Sequence, residues 1–241
     1  MMNKLFVVLI FLSSFFLTGC AGKLANQEYN DQVLHDPYEK VNRVIYTGNM
    51  HLDNFIVKPA AKGYQTITPS FLRIGVSNFL SNLEEPRNFI NNLLQLKFEE
   101  SVQSFGRFAF NSTFGIVGIF DIMTEVGIEQ KDEDFGQTLA YWGVKPGPYV
   151  FLPLFGPSSV RDTVGRVGDY LMLSPRRVIE DPTLYQYQTA LDIIDLRTSL
   201  LPLDPILERQ IDVYNFLKSG YEQSRIDSIF DGNAPEIEED F

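Results

Sequence analysis

Cys20 carries the only thiol in the chain, and His35 and His51 its only imidazoles, so nucleophilic and general-base chemistry has few places to start. His35 lies beside Asp36 and His51 near Asp53. Two histidines 16 positions apart match no metal-ligand spacing and read as surface polar residues. No Gly-x-Ser-x-Gly elbow occurs, and Gly115 and Gly118 are not followed by the Gly-Lys-Ser/Thr that would make a phosphate loop. Glu84-Glu85 and Glu99-Glu100 are neighbours that point to different sides of a helix and form no acid/base pair. These residues predict no catalytic centre, no metal and no cofactor. The pointed feature is the setting of Cys20.

Lys4 is the single charge before Cys20, and Leu5 to Leu17 is apolar except for Ser13 and Ser14. That run is shorter than the ~20 residues of a spanning helix and has the form of a secretory leader. Leu17-Thr18-Gly19-Cys20 resembles the bacterial lipobox, in which the thiol takes a diacylglycerol, the leader (1–19) is cut and the new amine is acylated. The alternative is an ordinary export signal whose cleavage exposes a cysteine. Each buried methylene contributes about 0.8 kcal/mol, so the palmitate-like chains of such an anchor, taken together, hold almost permanently. Ala21 stands where an aspartate keeps Gram-negative lipoproteins at the inner membrane, and by that sorting rule the mature chain is expected at the outer membrane.

The 241 residues carry a net charge of −11, and removing Lys4 with the leader makes the mature chain more acidic still. Such a chain is a poor partner for nucleic acid or for anionic lipid surfaces. An acylated Cys20 leaves no thiol for a disulfide, so packing must hold the fold, and 20 Phe, 11 Tyr and Trp142 supply contact area. Phe114 to Met123 is broken by Gly115, Gly118 and Asp121 and is too short to span a bilayer.

Residues 20–35 read as a polar tether, 36–232 as one mainly α domain, and 233–241 as an acidic disordered tail. Asp36-Pro37 is expected to cap a helix that runs to Pro59. Thr68-Pro69-Ser70 opens a second helix through Leu83, and Pro86 begins a third. Phe98, Val102, Phe105 and Phe108 lie on one side of a further amphipathic helix. Residues 111–118 read as a bend, and Glu129 to Asp134 as a solvated loop. Trp142 to Pro157 mixes prolines and glycines with large apolar side chains, too broken for a helix and too greasy for a common loop. Ser158 or Ser159 is expected to cap a helix to Met172. Two helical stretches follow Asp181-Pro182, separated near Leu201-Pro202.

The motifs, in order, are Asp36-Pro37-Tyr38-Glu39 with Asn42-Arg43, Lys58-Pro59-Ala60, Ser77-Asn78-Phe79 and Asn82-Leu83-Glu84-Glu85-Pro86. Arg107-Phe108, Asn111-Ser112-Thr113 and Asp134-Phe135-Gly136-Gln137-Thr138-Leu139 come next, then Trp142-Gly143, Gly147-Pro148-Tyr149, Leu152-Pro153, Gly156-Pro157-Ser158 and Arg161-Asp162. Over residues 36–175 this resembles the VacJ/MlaA lipoprotein family. The resemblance implies a ring-like helical lipoprotein in the inner leaflet of the outer membrane. It would pass mislocalised phospholipids through a channel to a soluble periplasmic carrier that feeds an inner-membrane ABC transporter, docked on trimeric porins and without a cofactor. A structural, porin-docking lipoprotein and a phospholipase are the rival readings. Gly48, in a segment the family uses to control its channel, stands where an aromatic is usual, and Leu96 where a glycine is usual.

Moving a headgroup through hydrocarbon costs several kcal/mol, and a channel lowers that cost with polar groups inside and an apolar belt outside. Under the resemblance, the belt candidates are Phe98, Phe105, Phe108, Trp142, Tyr149, Phe151 and Phe155, and the lining or gating candidates are Asn42, Asn49, Asn78, Asn82, Asn111, Gln137 and Arg161. The same side chains also read as core, caps, bends and a structural ion pair.

Overall fold

The computed structural model describes residue 32 and residues 34–172 and 181–234; the leader, Cys20, most of the tether and tail residues 235–241 lie outside them. The first helix, α1 (Glu39–Leu52), is not capped by Asp36, because Tyr38 occupies the cap position without a side-chain bond. Asp36 instead accepts the Asn42 amide at 2.8 Å and the Tyr214 hydroxyl. Pro59 does not stop the helix. A π-helical turn, Asp53–Val57, lets Lys58 N–H reach back to the Asp53 carbonyl, and α2 (Lys58–Ile67) then takes Pro59 in its first turn, where a missing N–H costs little.

Pro86 begins no helix either. It lies inside α3 (Ser70–Leu94), one 25-residue helix rather than two. An interior proline costs about 3 kcal/mol, an amount that packing can offset. The offset is local, since α3 lies along α4 (Phe98–Thr113) and buries Glu85 and Asn88 on either side of the proline. Asp121 caps the short α5 (Ile122–Glu125), and Asp134 caps α6 (Phe135–Tyr141), each accepting a backbone N–H from its helix. Glu133, expected in a solvated loop, is buried, because Gln95 (2.7 Å) and Lys97 (3.0 Å) both donate to its carboxylate.

The segment after Trp142 is a hairpin of β1 (Tyr149–Leu152) and β2 (Gly156–Ser159), antiparallel with Tyr149 opposite Ser159. Ser159 caps α7 (Val160–Met172), its hydroxyl accepting Asp162 N–H at 3.1 Å. After α8 (Pro182–Leu200) and a 3₁₀ turn, α9 (Asp204–Leu207) and α10 (Val213–Ile229) end the described chain. The second long stretch is thus broken by residues 208–212.

The apolar core is small. Leu34, Tyr149, Phe151 and Tyr214 pack with Ile45, Tyr46 and Tyr221 between α1, the hairpin and α10. Tyr149 and Phe151 are therefore core and not belt, because alternation along β1 turns both toward Tyr214. Gln32 is buried too, bonded to Arg161, so Gln32 and Leu34, assigned to the tether, pack into the body of the fold.

Helix α3 ends in a Schellman motif: Lys97 N–H bonds the Asn92 carbonyl at 2.9 Å, and Leu96 N–H bonds that of Leu93 at 3.1 Å. Leu96 thereby holds φ +62°, the conformation a glycine adopts freely. Leu96→Gly is expected to stabilise the protein by about 1 kcal/mol, read from denaturant unfolding in detergent.

Candidate functional site: an apolar belt around a polar interior

Helix α4 sets the pattern. Its buried side chains are Ser101, Ser104, Arg107 and Asn111, while Phe98 (62 % exposed), Val102, Phe105 and Phe110 face outward. Phe108 is half-buried. In a protein made for water the aromatic stripe would turn inward. On α3 the inversion repeats: Asn82, Glu85, Asn88, Asn91 and Asn92 are buried, and Phe71, Leu72, Ile74, Leu93 and Leu94 are exposed.

The turn after α4 carries it further. Phe114, Ile116, Val117, Ile119 and Phe120 are all exposed. Ile116 and Val117 hold φ of +53° and +60°, which costs β-branched residues on the order of 1–2 kcal/mol each. Gly118 (φ +92°) lies so close to Asn82 that a Cβ would collide with its side chain. Behind the turn, Arg107 donates from Nε to Glu85, from Nη2 to Asp121 (2.9 Å) and from Nη1 to Thr124 (3.0 Å) and the Ile128 carbonyl. Ile67 and the π-turn residues Phe55 and Ile56 are exposed too. Exposed apolar surface of this extent marks a lipid or protein contact. No helix among the described residues is long and apolar enough to cross a membrane.

The lining candidates do not converge on one site. Asn42 donates to the Tyr149 carbonyl (3.2 Å) and accepts Phe151 N–H (2.9 Å), and Asn49 does the same for Leu152 (2.9 Å) and Leu154 (3.0 Å). Together with the His35 carbonyl on Tyr149 N–H, they seal the free edge of β1. Asn78 donates to the Ile119 carbonyl, Asn82 to Ser112, Asn111 to Asp121 and Gln137 to the Asp132 carbonyl, at 2.9–3.0 Å. Arg161 pairs with Asp162 and Gln32, both at 2.9 Å. Of the other belt candidates, Trp142 and Phe155 are exposed. The Trp142 indole N–H reaches the Leu94 carbonyl at 3.1 Å, and Arg166 stands over the Phe155 ring. His51 stacks on Phe55. The two adjacent glutamates diverge, Glu84 to Arg87 and Glu85 to Arg107. A side chain at Gly48 would meet open space, so that departure strains nothing.

The Asp134–Thr138 motif is a joint. Arg225 of α10 bonds Asp134 (2.6 and 2.8 Å) and Asp162 (2.8 Å), and Tyr221 donates to Asp162. Gly136 lies under the Arg225 guanidinium, and Gly165 of α7 presses on the Gly136 backbone, so a Cβ at either would collide. Burial alone would raise Asp134 and Asp162. The charge and hydrogen bonds of Arg225, joined at Asp162 by Arg161, outweigh it and hold both below the usual carboxylate range.

The profile of the MlaA lipoprotein family matches residues 34–228. The chain belongs to that family. It is 34 % identical over 239 residues to the intermembrane phospholipid transport system lipoprotein MlaA of Escherichia coli strain K12, covering 95 % of this chain and 90 % of that protein. An uncharacterised protein of Rickettsia typhi is 32 % identical over 238 residues, covering 95 % of both chains. A chain solved in a study of the structural basis for maintenance of bacterial outer membrane lipid asymmetry matches with a TM-score of 0.72 and 30 % identity, over 83 % of this chain and all of that one. The mainly helical fold with one small hairpin is thus the MlaA fold.

Sequence reading missed the buried half of the site: Glu85, Asn88, Asn91, Asn92, Ser101, Ser104 and Arg107, with the half-buried Asp121 paired to Arg107. The signal was the density of asparagine on α3, since Asn82, Asn88, Asn91 and Asn92 are costly in a helix without a buried polar partner.

Two predictions follow from this geometry. A fully buried Phe is worth about 2–3 kcal/mol, so Phe98→Glu with Phe105→Glu in an unacylated protein should weaken vesicle binding more than about tenfold, measured by flotation. Arg225→Met leaves the half-buried Asp134 without its cationic partner and Asp162 with Arg161 and Tyr221 alone, and should cost about 1–3 kcal/mol at pH 7. Because Asp134 and Asp162 have depressed folded values, their contribution is complete above the unfolded carboxylate value of about 4 and is lost as pH falls through the folded values. The gap between native and variant unfolding midpoints should therefore narrow toward pH 3.

Proposed function

We propose that this chain maintains outer-membrane lipid asymmetry by taking phospholipids misplaced in the outer leaflet and passing them inward to a soluble periplasmic carrier. That carrier would feed an ABC transporter of the inner membrane. What carries the reading, beside the family's named function, is the inverted polarity of α3 and α4, with aromatic side chains outside and asparagine, serine, glutamate and arginine inside. Such a body gains free energy in hydrocarbon while keeping polar groups together within it.

Acyl chains on Cys20 and the exposed belt would hold it in the inner leaflet of the outer membrane, open to the periplasm. Trimeric porins are the partners the family resemblance supplies. The chain acts without a cofactor and as a conduit, not an enzyme, and its acidity offers nothing to nucleic acid.

The test reconstitutes the acylated protein with a trimeric porin in vesicles holding labelled phospholipid and follows transfer to a soluble acceptor. Transfer several-fold above porin-only vesicles is expected. Background transfer, with intact asymmetry in cells lacking the protein, would leave a porin-docking structural role. Release of free fatty acid or lysolipid would make it a phospholipase instead.

A further inference from the structure

The turn between α4 and α5 reads Phe114-Gly115-Ile116-Val117-Gly118-Ile119-Phe120, without one polar side chain. Phe114, Ile116, Val117 and Phe120 are each more than half exposed, and Ile119 is exposed as well. The patch continues onto the start of α3. Ile119 lies against Gly75, and its carbonyl takes the Asn78 amide at 3.0 Å, which sets the turn beside the exposed Phe71 and Ile74. Arg73, the charge next to them in sequence, is drawn off to the Gln65 and Thr68 carbonyls at the end of α2.

Exposed apolar side chains alone do not suit a segment to hydrocarbon. Its backbone must suit too, since lipid offers a peptide group no hydrogen bond. Here the backbone answers itself. The N–H groups of Phe114, Gly115, Val117, Gly118, Ile119 and Phe120 all bond backbone carbonyls at 2.8–3.3 Å, and those carbonyls belong to the turn or to Phe110, Asn111 and Ser112 at the end of α4. The left-handed φ angles of Ile116 and Val117 fold the chain back onto them. A turn made for water would leave such groups to solvent and spare the strain. Ile211 supplies the contrast, fully exposed but set among Glu208, Arg209, Gln210 and Asp212.

We propose that residues 114–120, with Phe71 and Ile74 beside them, enter the acyl-chain region of the bilayer as a wedge. Lipid is the occupant rather than a protein, because a protein interface carries hydrogen bonds and a polar rim. This turn presents no charged or amide side chain, and all but one of its N–H groups are taken. It is far too short to cross, so it penetrates one leaflet and returns. At its base Asn82 and Asn111 bond inward, to Ser112 and Asp121, and keep the polar interior behind it. The inference rests on the membrane placement in the proposed function and not on transport.

With Cys20 acylated the chain has no other thiol, so Val117→Cys, Phe120→Cys and Ile211→Cys each give a single site for a nitroxide label. The acylated variants are reconstituted in vesicles of phosphatidylethanolamine and phosphatidylglycerol. Collisions of the label are then measured with oxygen, which concentrates in hydrocarbon, and with a nickel chelate, which stays in water. The ratio of oxygen to nickel collisions is expected to be several-fold higher at positions 117 and 120 than at 211. Equal ratios on vesicle-bound protein would overturn this inference alone. So would low collision with both reagents at 117 and 120, the mark of a contact between protein surfaces. Protein found off the vesicles would overturn the membrane placement and this inference with it.

Discussion

Arg107 is the group the rest of the belt depends on. Its guanidinium is 3 % exposed and needs a partner at every nitrogen, since a buried unpaired charge costs several kcal/mol. Those partners come from three directions: Glu85 on α3, Asp121 and Thr124 at the start of α5, and the Ile128 carbonyl beyond it. Once that node is fixed, the helical period leaves Phe98, Val102 and Phe105 no direction but outward. The greasy exterior is the geometric remainder of a charged interior.

The molecule therefore has two halves of opposite polarity. Between α1, the hairpin and α10 it packs like a protein in water, with aromatic rings edge to face around Tyr214 and Arg43 stacked over that ring. Around α3 and α4 it packs the other way, polar within and apolar without. Salt bridges join elements distant in sequence: Arg43 to Asp212, Arg197 to Asp53 and Asp204, and Arg225 to Asp134 and Asp162. Helix α10 buries only Tyr214 and Ile226, so charge and hydroxyl contacts do most of its docking.

Much of the helical outline was legible from prolines, glycines and apolar spacing, including the amphipathic α4, the Ser159 cap and the break near Leu201. Periodicity reveals that a helix has two faces but not which one turns inward, so Phe98 and Phe105, taken residue by residue, read more readily as core than as belt, whereas the structure leaves both exposed. Proline misled twice. Pro59 is absorbed by the π-helical turn just before it and Pro86 by contacts from α4 around it, and neither device shows in the spacing of apolar residues. Tyr149 and Phe151 looked like belt beside Trp142 and Phe155 because hydropathy does not register the alternation of a four-residue strand. Glu133 looked solvated because its partners, Gln95 and Lys97, are far away in the chain. Most of the lining candidates bond backbone or side-chain groups that only folding brings near, such as Asn42 on Tyr149 and Phe151 and Asn82 on Ser112.

The burial of Gln32 and Leu34 has a consequence of scale. About a dozen residues join Cys20 to Gln32, and a chain stretched to its limit covers no more than ~3.5 Å per residue, a radius of about 40 Å. Under the proposed acylation of Cys20, a molecule moored on so short a line would be a fixed berth and not a ferry. Its cargo would then have to be collected by a vessel that comes alongside.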